Sequence, residues 1–156
     1  MSETKDAPNV VIQPPIALII AVVAALALNW FYPLPFLGRT IPGIEVGLVL
    51  LLVALLIVRW AATTFRKART NILTSQSANT IVSDGPFAYS RNPIYVAIFL
   101  GLVAFSLTFD SLWFLVAMVP MYLVIRYGVI AREESYLERK FGESYTTYKG
   151  KVRRWL

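Results

Sequence analysis

Four apolar runs, at about residues 16–32, 44–62, 93–109 and 111–131, dominate this 156-residue chain. Each approaches the ~20 residues that carry a helix across the hydrocarbon core of a bilayer, where the backbone must satisfy its hydrogen bonds within itself. A hydrophobic content of 57% and a mean hydropathy of +0.61 agree with that reading. The chain therefore predicts an all-α fold: a polytopic membrane bundle of about four transmembrane helices, in one domain over residues 1–156. The first and third runs are the shortest.

Pro33, Pro35, Gly38, Pro42 and Gly43 interrupt the chain between the first two runs, and Phe109-Asp110-Ser111 turns it between the last two. Two helical hairpins are expected. The first run has the small-residue spacing of a signal peptide at Ala25 and Ala27, but Glu3 and Asp6 occupy the flank that such a signal keeps basic. A retained helix is the expectation. Residues Thr70 to Thr80 are polar and aperiodic, consistent with a loop or a short interfacial helix.

Arg59, Arg66, Lys67, Arg69 and Arg91 face Asp84 alone, and from Arg126 onward eight cations face four acids. The loop around Arg39 and the turn at Asp110 carry almost no positive charge. By the positive-inside rule both termini and the 63–92 loop are expected in the cytoplasm, in a multi-pass membrane protein. The net charge of +6 follows from that topology and calls for no nucleic-acid partner. The chain contains no cysteine and no histidine. Disulfides, thiolate metal sites and cysteine nucleophiles are thereby excluded, and any proton transfer falls to carboxylate, tyrosine, lysine, substrate or water.

Two boundary stretches carry candidate chemistry. The first is Gly85-Pro86-Phe87-Ala88-Tyr89-Ser90-Arg91-Asn92-Pro93-Ile94-Tyr95, where a polar loop enters an apolar helix. Asn92 and Pro93 suit a helix start, with asparagine as cap and proline in the first turn. Arg91 beside Tyr89 and Tyr95 is either a snorkelling anchor or, next to a helix N-terminus, a site for a carboxylate or phosphate. The second stretch holds Glu133 and Glu134. On a continuing helix their neighbours three and four positions away are Val129, Ile130, Ala131, Tyr136, Leu137 and Glu138, none of them a cation. The pair must rely on water, a distant arginine or a ligand. Arg126, inside the last run, is a functional candidate or a second snorkelling side chain, and Pro120 either kinks that helix or is absorbed by packing. Arg139 and Glu143 have i,i+4 spacing. Phe141, Tyr145, Tyr148 and Trp155 recur among basic residues, which predicts a cytoplasmic amphipathic helix at the interface.

These residues resemble the membrane methyltransferases that include isoprenylcysteine carboxyl methyltransferases and phospholipid N-methyltransferases. The resemblance covers about the last ninety residues, with elements near 80–95 and 126–156. It consists of G-P-[FY]-x-x-x-R-[HN]-P-x-Y, met by Gly85, Pro86, Phe87, Arg91, Asn92, Pro93 and Tyr95, and of E-E-x-x-L-x-x-x-F-G-x-x-Y-x-x-Y, met by Glu133, Glu134, Leu137, Phe141, Gly142, Tyr145 and Tyr148. It closes on Arg153, Arg154 and Trp155. Asn92 departs from the histidine usual in the isoprenylcysteine enzymes.

The resemblance implies S-adenosylmethionine as methyl donor, in a cytoplasm-facing pocket closed by the C-terminal segment, with no metal. It implies a cofactor set of Ile81, Val82, Gly85, Tyr89, Arg91, Asn92, Pro93, Tyr95, Glu133 and Glu134, with Arg91 for the carboxylate and the two glutamates for ammonium and ribose. Arg91, Glu134 and Arg126 stand as catalytic candidates, and Arg126, Tyr145, Tyr148, Arg153 and Arg154 as contacts to a lipid or lipidated acceptor. The expected function is methyl transfer to a lipophilic acceptor, of the isoprenylcysteine carboxyl type or, alternatively, the phospholipid amine type. A nicotinamide-dependent sterol-type reductase shares part of the pattern but has a larger bundle, and a non-catalytic membrane module is the third reading.

Overall fold

The computed structural model describes residues 6–38, 41–71 and 76–156. The expectations attached to Glu3 and Arg39 fall outside these residues. Among the described residues all regular structure is helical: α1 (Pro14–Phe31), α2 (Gly43–Lys67), α3 (Pro93–Thr108), α4 (Trp113–Leu123), α5 (Ala131–Phe141) and α6 (Glu143–Lys151). A short 3-10 turn, Gly85–Ala88, precedes α3, and a π-helical segment, Val124–Ile130, joins α4 to α5. The described parts of the 70–80 stretch form a loop.

Among the described residues, three helical stretches are long and apolar enough to cross a membrane: Pro14–Phe31, Gly43–Lys67 and the continuous rod Trp113–Phe141. α3 has only 16 residues, about 24 Å at 1.5 Å per residue against a hydrocarbon core of ~30 Å. Its polar N-terminal motif is therefore drawn close to the hydrocarbon boundary.

Small residues decide how α2 and α3 meet. Gly43, Gly47, Ala54 and Ala61 are buried along one stripe of α2. A Cβ on Gly43 would lie 2.7 Å from the Leu107 carbonyl oxygen, and one on Gly47 2.7 Å from that of Ala104. The two backbones approach at a distance only glycine permits, the usual device where lipid gives no hydrophobic drive to helix association.

The expected pairing of the first two runs is not what forms. α2 packs on α3, α3 on α4, and α1 on α4 and the π segment. The α3/α4 hairpin is thus flanked by α2 and α1, leaving a gap between those two over the start of α3. Asp110, at φ 44°, fixes the opposite end: its Oδ1 accepts the N–H groups of Phe36 (2.9 Å) and Leu37 (2.8 Å). Leu102, Phe114, Ile125, Val129 and Ile130 are fully buried between these helices. Pro120 faces an apolar groove between α1 and α4, lined by Ala17, Ala21 and Met121 among others.

Gly142, at φ 53° and ψ −125°, holds a conformation that side-chain-bearing residues avoid. It breaks the rod and turns α6 back toward the 3-10 turn. The Arg139–Glu143 spacing accordingly makes no ion pair among the described residues, and Glu138 pairs instead with Lys149.

Candidate functional site

The two motif stretches meet at one end of the bundle. Arg91 Nη1 lies 3.1 Å from Glu134 Oε1, and Arg154 grips the same carboxylate in a fork, Nε to Oε1 at 2.9 Å and Nη2 to Oε2 at 2.8 Å. The distant cations that Glu134 lacks on its own helix are these two arginines. The fork on Glu134 also raises the Arg154 guanidinium pKa. Glu133 has no cation within ion-pair distance among the described residues and takes a hydrogen bond from the Tyr95 hydroxyl at 2.9 Å.

The C-terminal tail closes over the start of α3. The Arg91 N–H donates to the Arg153 carbonyl (2.9 Å), and the Asn92 side-chain amide donates to that of Arg154 (2.9 Å). Asn92 makes no side-chain cap on α3, contrary to the sequence expectation. The tail carbonyl orients the side chain by taking its amide N–H, and the Asn92 backbone N–H donates to the buried Ser90 hydroxyl (3.1 Å). The tail aromatics turn inward. Tyr145 is buried, the Tyr148 hydroxyl donates to the Phe87 carbonyl (2.8 Å), and the Trp155 ring packs against Phe99 and Tyr122. Burial pushes the Tyr145 phenol up to about 12, with the Glu134 charge adding to the effect, and raises Tyr148 as well. Both phenols are uncharged at neutral pH.

Two clefts share this end. The first, about 830 Å³ counting its open mouth, has Thr70, Ile81, Val82, Leu137, Tyr145 and Tyr148 in its walls. The second, about 670 Å³, runs through the gap between α1 and α2, past Gln13, Pro14, Pro15, Tyr95 and Ile98. Phe65, Phe87, Arg91, Asn92 and Glu133 line both. Arg91 stands at the junction with a side chain only 9% exposed. Despite the ion pair, its Nε and Nη1 have no hydrogen-bond acceptor of suitable geometry among the described residues.

Of the sequence candidates, Ile81, Val82, Arg91, Asn92, Pro93, Tyr95, Glu133, Glu134, Tyr145 and Tyr148 line one cleft or the other. Arg153 and Arg154 act from the tail, by backbone and by side chain. Gly85, Tyr89 and Arg126 line neither cleft. Gly85, at φ 58°, packs beside Thr64 and Trp60, Tyr89 is exposed against Trp60, and Arg126 lies over the Tyr127 ring. Phe65, Tyr136 and Pro8 were not sequence candidates. Phe65 closes α2 at the start of the polar loop, a position that could have marked it, whereas nothing local distinguishes the other two. No group of histidine, cysteine or acidic residues able to hold a metal occurs among the described residues.

Residues 43–144 match the model of the phospholipid methyltransferase family. A 63-residue uncharacterized protein of Haemophilus influenzae is similar over its whole length, at 44% identity, to 40% of this chain. No solved structure matches. With most of the chain covered, from the close α2/α3 packing to the Glu133-Glu134 helix, this protein belongs to the phospholipid methyltransferase family, whose members are membrane methyltransferases acting on lipid.

Proposed function

We propose that the protein transfers a methyl group from S-adenosylmethionine, held in the first cleft, to a lipophilic acceptor that enters the second cleft from the bilayer. The observation that carries this reading is Arg91. A buried guanidinium whose Nε–H reaches no acceptor is costly, at about 1–3 kcal/mol for the unmade bond, and an anionic ligand at the clefts' junction removes that cost. The cofactor's carboxylate is such an anion. Glu133 supplies a carboxylate for its ammonium or ribose hydroxyls, and Ile81 and Val82 supply an apolar wall.

S-adenosylmethionine, when bound, supplies an electrophilic methyl group on a sulfonium. The residues at the junction position the two reactants in line and keep water out, and no covalent enzyme intermediate is required. The Glu134–Arg154 fork and the Asn92 amide hold the tail over the site. Phe65 and Phe87 form the apolar neck between the clefts. A lipid carboxylate of the isoprenylcysteine type attacks through oxygen, yields a methyl ester and leaves no proton to remove. A lipid amine must attack as the neutral base, and its product proton then goes to Glu133 or water. Glu133 lines both clefts and makes no ion pair among the described residues, which supports this second acceptor class. The site and both termini face the cytoplasm in this reading, consistent with the positive charge of the same loops.

The test is ligand-induced stabilisation of the detergent-solubilised protein. S-adenosylhomocysteine at a hundredfold excess over its dissociation constant stabilises by roughly 2.7 kcal/mol and raises the thermal midpoint. NADPH does not. A shift with NADPH alone would replace the methyltransferase reading with a reductase.

A further inference from the structure

A strap formed by residues 6–13 crosses the motif end of the bundle, and no motif of the sequence accounts for it. Its backbone is tied down at two points: the Val11 N–H donates to the Gly128 carbonyl in the π segment (3.0 Å), and Arg132 Nη1 donates to the Asn9 carbonyl (2.8 Å). Gly128 permits the approach, since a Cβ there would lie 3.3 Å from Val11. The strap ends at Asp6 in a four-residue cluster. Asp6 Oδ2 takes hydrogen bonds from Lys140 Nζ (2.6 Å) and Ser77 Oγ (2.7 Å), and Oδ1 takes one from the Tyr136 hydroxyl (2.9 Å). These bonds, led by that from Lys140, hold the Asp6 carboxyl at about 2, so it is ionised at neutral pH.

The Tyr136 hydroxyl is the hub. While donating to Asp6 it accepts the Ala78 backbone N–H (3.1 Å) and Lys140 Nζ (3.0 Å), and its ring is buried. One oxygen thus joins three pieces of chain remote in sequence: the strap, the loop beyond α2, and α5. The joined groups sit over the first cleft, which Pro8, Ala78 and Tyr136 all help to line. The far side of the loop is anchored to the end of α2, the Asn79 N–H donating to Thr70 Oγ1 (2.9 Å) and the Asn79 amide to the Arg69 carbonyl (3.0 Å).

Resting on the methyltransferase reading above, we propose that Tyr136, Asp6 and Lys140 are positioning residues that latch the N-terminal strap and the Ala78 loop over the cofactor cleft and set how long the cofactor stays bound. The latch is built from exposed ionic groups on a buried phenol, outside the helical core, so it opens without unfolding the bundle. Local opening of this kind draws on contacts that contribute little to global stability.

Tyr136→Phe removes the hub hydroxyl and keeps the ring, and Asp6→Ala removes the anion. The ligand-free thermal midpoint of both stays near that of the parent. Hydrogen exchange at Ala78 in the ligand-free protein rises about tenfold or more, and S-adenosylhomocysteine dissociates about fivefold faster or more. The exchanged pair Asp6→Lys with Lys140→Asp restores slow dissociation, which neither single change does. Unchanged Ala78 exchange in Tyr136→Phe and Asp6→Ala overturns the latch, whatever the ligand does. Faster exchange with unchanged dissociation also overturns it, leaving a structural attachment. A parent protein that binds no S-adenosylhomocysteine refutes the cofactor reading, and with it the latch's role in cofactor residence.

Discussion

Replacing Arg91 by lysine separates a working guanidinium from a membrane anchor. Lysine preserves the positive charge beside Glu134, and Glu134 retains the fork from Arg154, so the ligand-free thermal midpoint is expected to stay close to the parent's. What disappears is the planar guanidinium, with its fixed donor directions at Nε and at Nη1. Those two atoms are the ones without hydrogen-bond acceptors. They point to opposite sides of the guanidinium, so a ligand anion bonds one of them; an ammonium cannot reproduce the directed bond from Nε, and a hydrogen bond to a charged group is worth about 1.5–3 kcal/mol. The loss therefore corresponds to about 10- to 150-fold in affinity or in kcat/KM. Calorimetric titration with S-adenosylhomocysteine, beside initial rates at saturating and at low concentrations of cofactor and acceptor, reads both quantities. Near-parental affinity and turnover in a well-folded Arg91→Lys protein would show that Arg91 only anchors the helix.

The two glutamates are expected to behave differently. Glu134→Gln leaves Arg91 and Arg154 facing each other without an anion, and costs about 2 kcal/mol or more of stability even after allowance for the partial exposure of Arg154. Glu133→Gln keeps an acceptor for the Tyr95 hydroxyl and preserves the thermal midpoint, yet weakens ligand binding by about 1–3 kcal/mol; equal stability losses in the two variants would contradict this division. Gly47→Ala drives a Cβ against the Ala104 carbonyl and costs about 1–3 kcal/mol in detergent unfolding, with neutrality refuting the close α2/α3 contact. Single cysteines at Ser77 and Ser144 are expected to label with an impermeant thiol reagent from the cytoplasmic side only, and one at Gly38 from the other side only. Ser77 or Ser144 labelling from the far side would reverse the orientation.

Hydropathy alone made the helices legible, because a span of apolar residues near bilayer thickness has few other solutions. Their arrangement was not. The apolar helices present little contrast between faces, so nothing in the pattern says that α1 packs on α4 and not on α2. The small residues along α2 are the exception, since their spacing from Gly43 to Ala61 marks the stripe that meets α3. At the site, residue chemistry was more telling than position. The absence of a local cation near Glu134 left water, a distant arginine or a ligand as its partner, and the arginine that takes that place, Arg154, lies twenty residues on, beyond a reversal that only Gly142 permits. Asn92 read as a helix cap because the group that orients its side chain, the Arg154 carbonyl, arrives from sixty-two residues away. The Asp6–Tyr136 contact, across 130 residues, has no local signature at all.

Methyl transfer itself is the decisive observable. Purified protein incubated with methyl-labelled S-adenosylmethionine and vesicles of extracted membrane lipid, supplemented in parallel with an isoprenylcysteine analogue or with phosphatidylethanolamine, is expected to place label in the lipid phase. The label should be alkali-labile for a carboxyl ester and alkali-stable for a methylated amine. S-adenosylhomocysteine should suppress it, and Arg91→Lys should reduce it tenfold or more. A stable, correctly folded parent that binds S-adenosylhomocysteine yet labels no lipid of either class, under conditions where a known lipid methyltransferase does, would contradict the assignment.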